Sequence, residues 1–220
     1  MRERQTKNIL EWIECIVIAV ILALLIRYFV GTPTVVQHES MYPTLKPNER
    51  LVLNRLTRTF NKTPERGDII TFEVPTIVSV SEESADLNNP VATYASEPTN
   101  IFSKFTYYVL EWGKTSYIKR VIGLPGEHVE IKDGGVYING EKLDESAYLS
   151  NTVVTDSMGG SFTDFVVPEG YIFAMGDNRT KSVDCRRFGC IPINKIEGKA
   201  EIRFWPLNKF GKITKAEEYK

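Results

Sequence analysis

The sequence predicts a mainly β protein behind a single N-terminal transmembrane helix, and three observations carry that expectation. One apolar stretch, Ile9 to Val30, precedes everything else. Beyond Gly31 the chain breaks into short runs with period-two alternation, each bounded by Pro, Gly or Asn. Few later stretches keep a helical period, while the strand formers Val, Ile, Thr, Tyr and Phe are well supplied.

The first element is the apolar stretch, interrupted only by Glu11, Glu14 and Arg27. Its unbroken centre, Cys15 to Ile26, is short for a bilayer. With Trp12, Tyr28 and Phe29 as interfacial flanks it reaches the ~20 residues that a ~30 Å hydrocarbon core requires. Arg2, Arg4 and Lys7 outnumber Glu3 ahead of it, so the positive-inside tendency keeps residues 1–8 in the cytoplasm and sends the rest across. A cleaved secretory signal fits the basic start and short apolar core too. Against cleavage, Arg27-Tyr28-Phe29 follows the core, and Thr32-Pro33 sets a proline where a scissile backbone must be extended. A buried core helix would want a polar face, which this stretch lacks.

The strands follow in order. Val35-Val36-Gln37-His38-Glu39 leads as an alternating run into Ser40, then come Leu51 to Asn54 and Asp68 to Phe72. Val129 to Lys132, Asp133-Gly134-Gly135 and Val136 to Ile138 read as a hairpin, with a further turn at Asn139-Gly140. Tyr171 to Met175 and Ala200 to Trp205 are the late strands. Between Ser79 and Asn100, Ser-Glu-Glu-Ser, Asn-Asn-Pro and Ser-Glu-Pro clusters predict a solvated, mobile loop. The aromatic run Phe105 to Trp112 reads as an edge strand or core segment, with a membrane-surface contact as the alternative.

A chain of 220 residues accommodates one substantial domain, or one domain with a small insertion. A formal net charge of -1 makes no electrostatic case for nucleic acid as a partner. Of three cysteines, Cys15 lies in the apolar stretch, and a disulfide between Cys185 and Cys190 is conceivable only with tight geometry. Two cysteines make a zinc site unexpected, and no metal or cofactor is implied.

Two polar residues stand out. A serine hydroxyl is a weak nucleophile without a base, and only two histidines are available to serve as one. Ser40 sits between a strand-like run and Met41-Tyr42-Pro43-Thr44-Leu45, where Pro43 stiffens the chain and the Ser40 N–H could serve an oxyanion. Lys119 lies in Tyr117-Ile118-Lys119-Arg120-Val121-Ile122. Adjacent strand residues face opposite ways, so Lys119 and Arg120 cannot both look inward. An inward Lys119 would be desolvated, its pKa would fall, and its neutral amine would be a competent base. A solvated strand lysine is the plainer reading. Ser182 could orient such an amine, and Asp184 with Arg186 could fix the loop as an ion pair. His38 and His128 leave a Ser-His-Asp triad open.

These segments together resemble the bacterial type I signal peptidases, membrane-bound Ser/Lys serine proteases. The resemblance lies in ordered motifs: Ser40 to Leu45, Arg66-Gly67-Asp68-Ile69, Tyr117 to Gly126, Gly176 to Arg179 with Ser182, Asp184 and Arg186, and the Arg203 to Leu207 tail. It covers most of the chain except residues 76–116. It implies Ser40 as nucleophile, Lys119 as general base, Ser182 as the residue positioning Lys119, and Asp184 and Arg186 as supports. Met41, Leu45, Tyr117 and Ile118 would line pockets for the small residues of an Ala-x-Ala cleavage site.

The implied fold is a signal-peptidase-like catalytic domain, extracytoplasmic over 31–220, behind a 9–30 anchor. Residues 76–116 would form an extended loop segment and 127–167 a small β insertion. The implied partners are signal peptides of exported preproteins and membrane lipid. Three departures stand out, one of them a stretch between the Arg66 and Tyr117 motifs that is longer than in compact members. His38 occupies a position where some members carry a hydroxyl that completes the oxyanion hole, and Cys185 replaces the usual serine between Asp184 and Arg186. Two other readings stay open. A self-cleaving Ser/Lys repressor can share a Ser-Met-x-Pro run but needs a DNA-binding head. A catalytically silent membrane-anchored domain would only bind peptides.

Overall fold

The computed structural model describes residues 2–150 and 152–213. Helix α1 runs Arg2–Phe29, and within it Asn8–Phe29 is long and apolar enough to cross a membrane, with none of it buried against the protein. At 1.5 Å per residue those 22 residues measure about 33 Å, close to a bilayer core.

Among the described residues twelve strands follow: β1 Gly31–Val35, β2 Arg50–Asn54, β3 Ile69–Glu73, β4 Ser116–Gly123, β5 His128–Lys132, β6 Gly135–Ile138, β7 Glu141–Lys142, β8 Asp164–Val166, β9 Tyr171–Met175, β10 Ile191–Pro192, β11 Ile196–Trp205 and β12 Gly211–Lys212. The larger sheet has the order β1-β2-β11-β3-β4-β9-β10, with β12 beside β11. The smaller sheet is β7-β6-β5-β8. The protein is therefore mainly β with an N-terminal apolar helix, the fold class expected. Both hairpins of the small sheet turn where expected. Asp133-Gly134 and Asn139-Gly140 all take positive φ, the geometry of a two-residue turn that matches the twist of the strands it joins.

The principal core joins the sheets: Ile70, Phe72, Val121, Ile122 and Phe173 pack in one cluster with Val129, Val136, Phe165 and Val167. A second, smaller core gathers Val36, Met41, Leu45, Leu51, Leu53, Ile69 and Ala200. In β3 every residue from Ile69 to Phe72 is buried, because Ile70 and Phe72 face the principal core while Ile69 faces the second.

Three expectations change. The alternating run does not carry a strand to the serine: β1 ends at Val35, and Val36 closes a loop by bonding Glu49 and Asn48 through its backbone. The stretch before residue 100 is only partly a solvated loop. Pro90 and Ala92 are buried and hydrogen-bond Cys190 through the main chain, and Val80 N–H donates to Arg187 O. The aromatic run is not a strand. Asn100 caps a helical turn, Ile101–Lys104, by accepting from Ser103 N, and the chain continues as a π-helix over Phe105–Val109.

Candidate active site

Ser40 sits on one 3₁₀ turn, Glu39–Met41, above the smaller core. Met41, wholly buried, pins the turn from below, and Leu45 lies in the same core. The turn is also held from the side. Asn178 N–H donates to Ser40 O at 3.0 Å, and its side-chain amide donates to Glu39 O at 3.1 Å. Gly176 has no space for a Cβ, which would overlap the Ser40 carbonyl oxygen and the Ser182 hydroxyl. The loop after β9 can therefore approach the serine turn only with glycine there.

Lys119 comes from the middle of β4, where antiparallel pairing sets it opposite Ile70 and sets Tyr117 opposite Phe72. Directly paired residues share a face, so Lys119 projects on the side of Ile70 and Phe72, and Arg120 projects away. Lys119 is 2% exposed, and its Nζ donates to Ser40 Oγ at 2.7 Å. Burial lowers its pKa from 10.5 to about 8, although Asp184 pulls the other way. Its Nζ also stands 5.1 Å from the Tyr117 ring centre. The plainer reading, a solvated strand lysine, does not hold.

Arg120 shows why Lys119 can be the inward amine. Its guanidinium clasps Asp177, Nε to Oδ1 at 2.8 Å and Nη2 to Oδ2 at 2.7 Å, with both side chains buried. It also donates to Gly67 O at 3.0 Å. Thr44 Oγ1 donates to Asp177 Oδ2 at 2.5 Å. One buried carboxylate thus joins the serine segment, the lysine strand and the loop after β9. Thr44, Arg120, Asp177 and Asn178 lie within the motifs of the sequence, but the sequence by itself assigns them no role in the site. For Arg120 a signal existed: a strand arginine facing away from an inward lysine needs its own acid.

Asp184 and Arg186 form the expected pair, both fully buried, with Arg186 Nε to Asp184 Oδ1 and Nη2 to Oδ2 each 2.9 Å. Asp184 Oδ2 accepts from Gly176 N at 3.0 Å, and the carboxylate caps the turn Cys185–Phe188. Burial works against its ionisation, but the Arg186 guanidinium overrides that and holds the pKa below the ordinary value. Ser182 is buried beside Gly176 and next to the Asp184 carboxylate, and its hydroxyl makes no hydrogen bond to Lys119. Cys185 and Cys190 are buried free thiols, and Ala174 N–H points at Cys185 Sγ from 3.2 Å.

A cleft of about 920 Å³ opens over the pair. Tyr117 and Ile118 line it, as do Val35, His38, Ser116 and Val183. Met41 and Leu45 do not: expected in the pocket wall, they are core residues instead, Met41 at the end of the 3₁₀ turn and Leu45 in the loop after it, both packed in the smaller core. His38 is exposed and precedes the turn without a side-chain capping bond. His128 lies on the small sheet, its Nε2 2.7 Å from Asp164 Oδ1. The side chain bonded to Ser40 is thus a lysine rather than a histidine.

The family model "Signal peptidase, peptidase S26" matches residues 9–205. Signal peptidase I T of Bacillus subtilis (strain 168) is 35% identical over 212 residues, which cover 94% of this chain and 91% of that protein. Signal peptidase IB of Staphylococcus aureus (strain COL) is 32% identical over 216 residues, 93% of each. Among solved structures, a signal peptidase I from Enterococcus faecalis V583 is 30% identical and covers 63% of this chain and 97% of its own, with a TM-score of 0.38.

Proposed function

The chain belongs to the signal peptidase family, peptidase S26, and from that premise we propose that it is a membrane-anchored serine endopeptidase cutting signal peptides from exported preproteins with a Ser40/Lys119 dyad. The observation that carries the reading is the buried Lys119 amine, 2.7 Å from Ser40 Oγ and with a pKa lowered to about 8. A desolvated amine of that basicity is a competent general base near neutral pH.

The substrate lies extended in the cleft, its scissile carbonyl at Ser40. As Oγ bonds to the carbonyl carbon, its proton passes to neutral Lys119, and the Ser40 N–H faces the developing oxyanion. The tetrahedral carbon then expels the amine of the mature protein, which takes the proton from Lys119. Water attacks the remaining ester while Lys119 accepts its proton. Collapse releases the signal peptide as a carboxylic acid, and the proton returns to Ser40. Asp184 and Arg186 hold the loop that closes on Ser40, and Ser182 serves Lys119 when substrate brings the two side chains together. Tyr117 and Ile118 contact the small residues of an Ala-x-Ala site. Met41 and Leu45 act from beneath by fixing the serine turn.

Helix α1 anchors the protein, with its start in the cytoplasm and the cleft on the outer face. The apolar length of Asn8–Phe29 and the basic residues before it support that orientation. The test is incubation of the detergent-solubilised protein with a preprotein whose signal ends in Ala-x-Ala. Wild type should release the mature protein, and Lys119→Ala should not. Equal cleavage by both would refute the reading.

A further inference from the structure

Besides Ser40 and Lys119, the cleft is lined by a charged group that the hydrolytic mechanism does not use: Arg27, Arg55, Glu111, Lys114 and Glu197. Lys114 and Glu197 satisfy each other at 2.7 Å. Arg55 is different. It is 1% exposed, its Nη2 bonds Glu111, and its Nε and Nη1 are buried with no hydrogen-bond partner among the described residues. Arg27 repeats the pattern: its Nη2 donates to Glu111 Oε2 at 3.0 Å, while its buried Nε finds no acceptor among the described residues.

One carboxylate therefore serves two guanidiniums. Burial opposes the ionisation of Glu111, yet Arg55 and Arg27 hold its pKa below the ordinary value. Arg58 adds a third guanidinium, donating to Tyr28 O at 2.8 Å, and its pKa is lowered by burial and by Arg55. Three arginines and a lysine face two glutamates, so the group carries an excess of positive charge. Buried N–H donors of a guanidinium call for an acceptor, and the planar fork matches the oxygens of a phosphate.

Position identifies the source of that phosphate. Arg27 stands in the last turn of α1, the helix long enough to span a bilayer, and so falls at headgroup level. Arg58 and Thr59 bond the last carbonyls of α1, and the next residue, Phe60, is 65% exposed. Trp112, beside Glu111, is 79% exposed. Exposed aromatics flanking the end of a spanning helix are the signature of the membrane–water interface.

We propose that Arg55 and Arg27 form a binding site for the phosphate of a phospholipid headgroup, bonded through the Arg55 Nε and Nη1 and the Arg27 Nε donors. The bound lipid fixes the base of the cleft to the bilayer surface. This inference rests on α1 as a membrane span and is independent of the Ser/Lys chemistry.

The test places the full chain in nanodiscs of phosphatidylglycerol mixed with a phosphate-free diglucosyl diacylglycerol of the same acyl chains. Retained lipid is then counted by native mass spectrometry. One phosphatidylglycerol should be kept in preference to the glycolipid. Arg55→Gln should cut that retention by roughly tenfold and Arg55→Lys by less, the difference expected for losing and partly keeping charge-assisted bonds. Equal retention of the two lipids, or retention untouched by Arg55→Gln, overturns the site. If a melting curve shows that Arg55→Gln does not fold, Arg27→Gln decides. Arg27 is partly exposed at a helix end, and unchanged retention in that variant overturns the site equally. Inorganic phosphate that displaces the lipid at equal concentration overturns the lipid assignment in favour of a free anion. Carbonate extraction separates the premise from the proposal. A protein that washes out of membranes refutes the span, whereas one that stays in without selecting phosphatidylglycerol refutes the site alone.

Discussion

Arg120 and Asp177 clasp each other through two parallel bonds of 2.8 and 2.7 Å, both side chains buried, on the face of β4 opposite Lys119. The pair fills the outward side of the strand and joins three segments of the site, since Thr44 and Gly67 bond the same two residues. The direction of Lys119 is thus set by its neighbour as much as by its own surroundings.

Breaking that clasp from one side leaves a buried guanidinium without its acid. Asp177→Ala should lower stability by about 3–5 kcal/mol, the usual cost of stranding one member of a buried pair. Urea unfolding checks it. A loss under about 1 kcal/mol, the range of a surface pair, would show that the clasp is not buried as described.

Gly176 touches the Ser40 carbonyl and the Ser182 hydroxyl where a methyl would stand. Gly176→Ala should push the loop after β9 off the serine turn and lower kcat by at least about a hundredfold, since an ångström of misplacement is that costly. Steady-state kinetics on a signal-peptide substrate measure it. Unchanged kcat would mean that the loop does not position Ser40.

Much of the site was legible in the sequence because strand periodicity is a strong signal. Alternation alone says that Lys119 and Arg120 part company, and the positive-φ pairs Asp133-Gly134 and Asn139-Gly140 mark their turns. Other features depend on contacts far apart in the chain. Met41 and Leu45 look like pocket residues from their apolar character, but the 3₁₀ turn and the loop after it put them in a core completed by Leu51, Leu53 and Ala200. The aromatic run after Asn100 has strand composition, and one capping bond to Ser103 N turns the segment helical. Nothing local marks Arg55 as short of acceptors, because Glu111, the acid it bonds, lies 56 residues away.

Lys119 should cost the fold stability at neutral pH. Its folded pKa of about 8 lies below the ordinary lysine value of 10.5, so the unfolded chain binds the proton more readily. The penalty begins as pH falls below 10.5, grows until about 8 and is full below that, on the order of 3 kcal/mol. Lys119→Met should therefore be inactive yet more stable than wild type at pH 7, with the gap closing above pH 10. Denaturant unfolding at the two pH values measures it. A destabilised variant at pH 7 would mean that Lys119 is held there as a well-paired cation.

The most direct test of the central claim is the pH dependence of kcat/KM on a preprotein with an Ala-x-Ala cleavage site. A Lys119 base predicts that kcat/KM rises tenfold per pH unit on the acid side and levels off near pH 8, where the buried amine loses its proton. Lys119→Arg should show no activity at any pH, because a guanidinium does not give up its proton. An acid limb near the ordinary histidine range, or cleavage surviving in Lys119→Arg, would contradict the account.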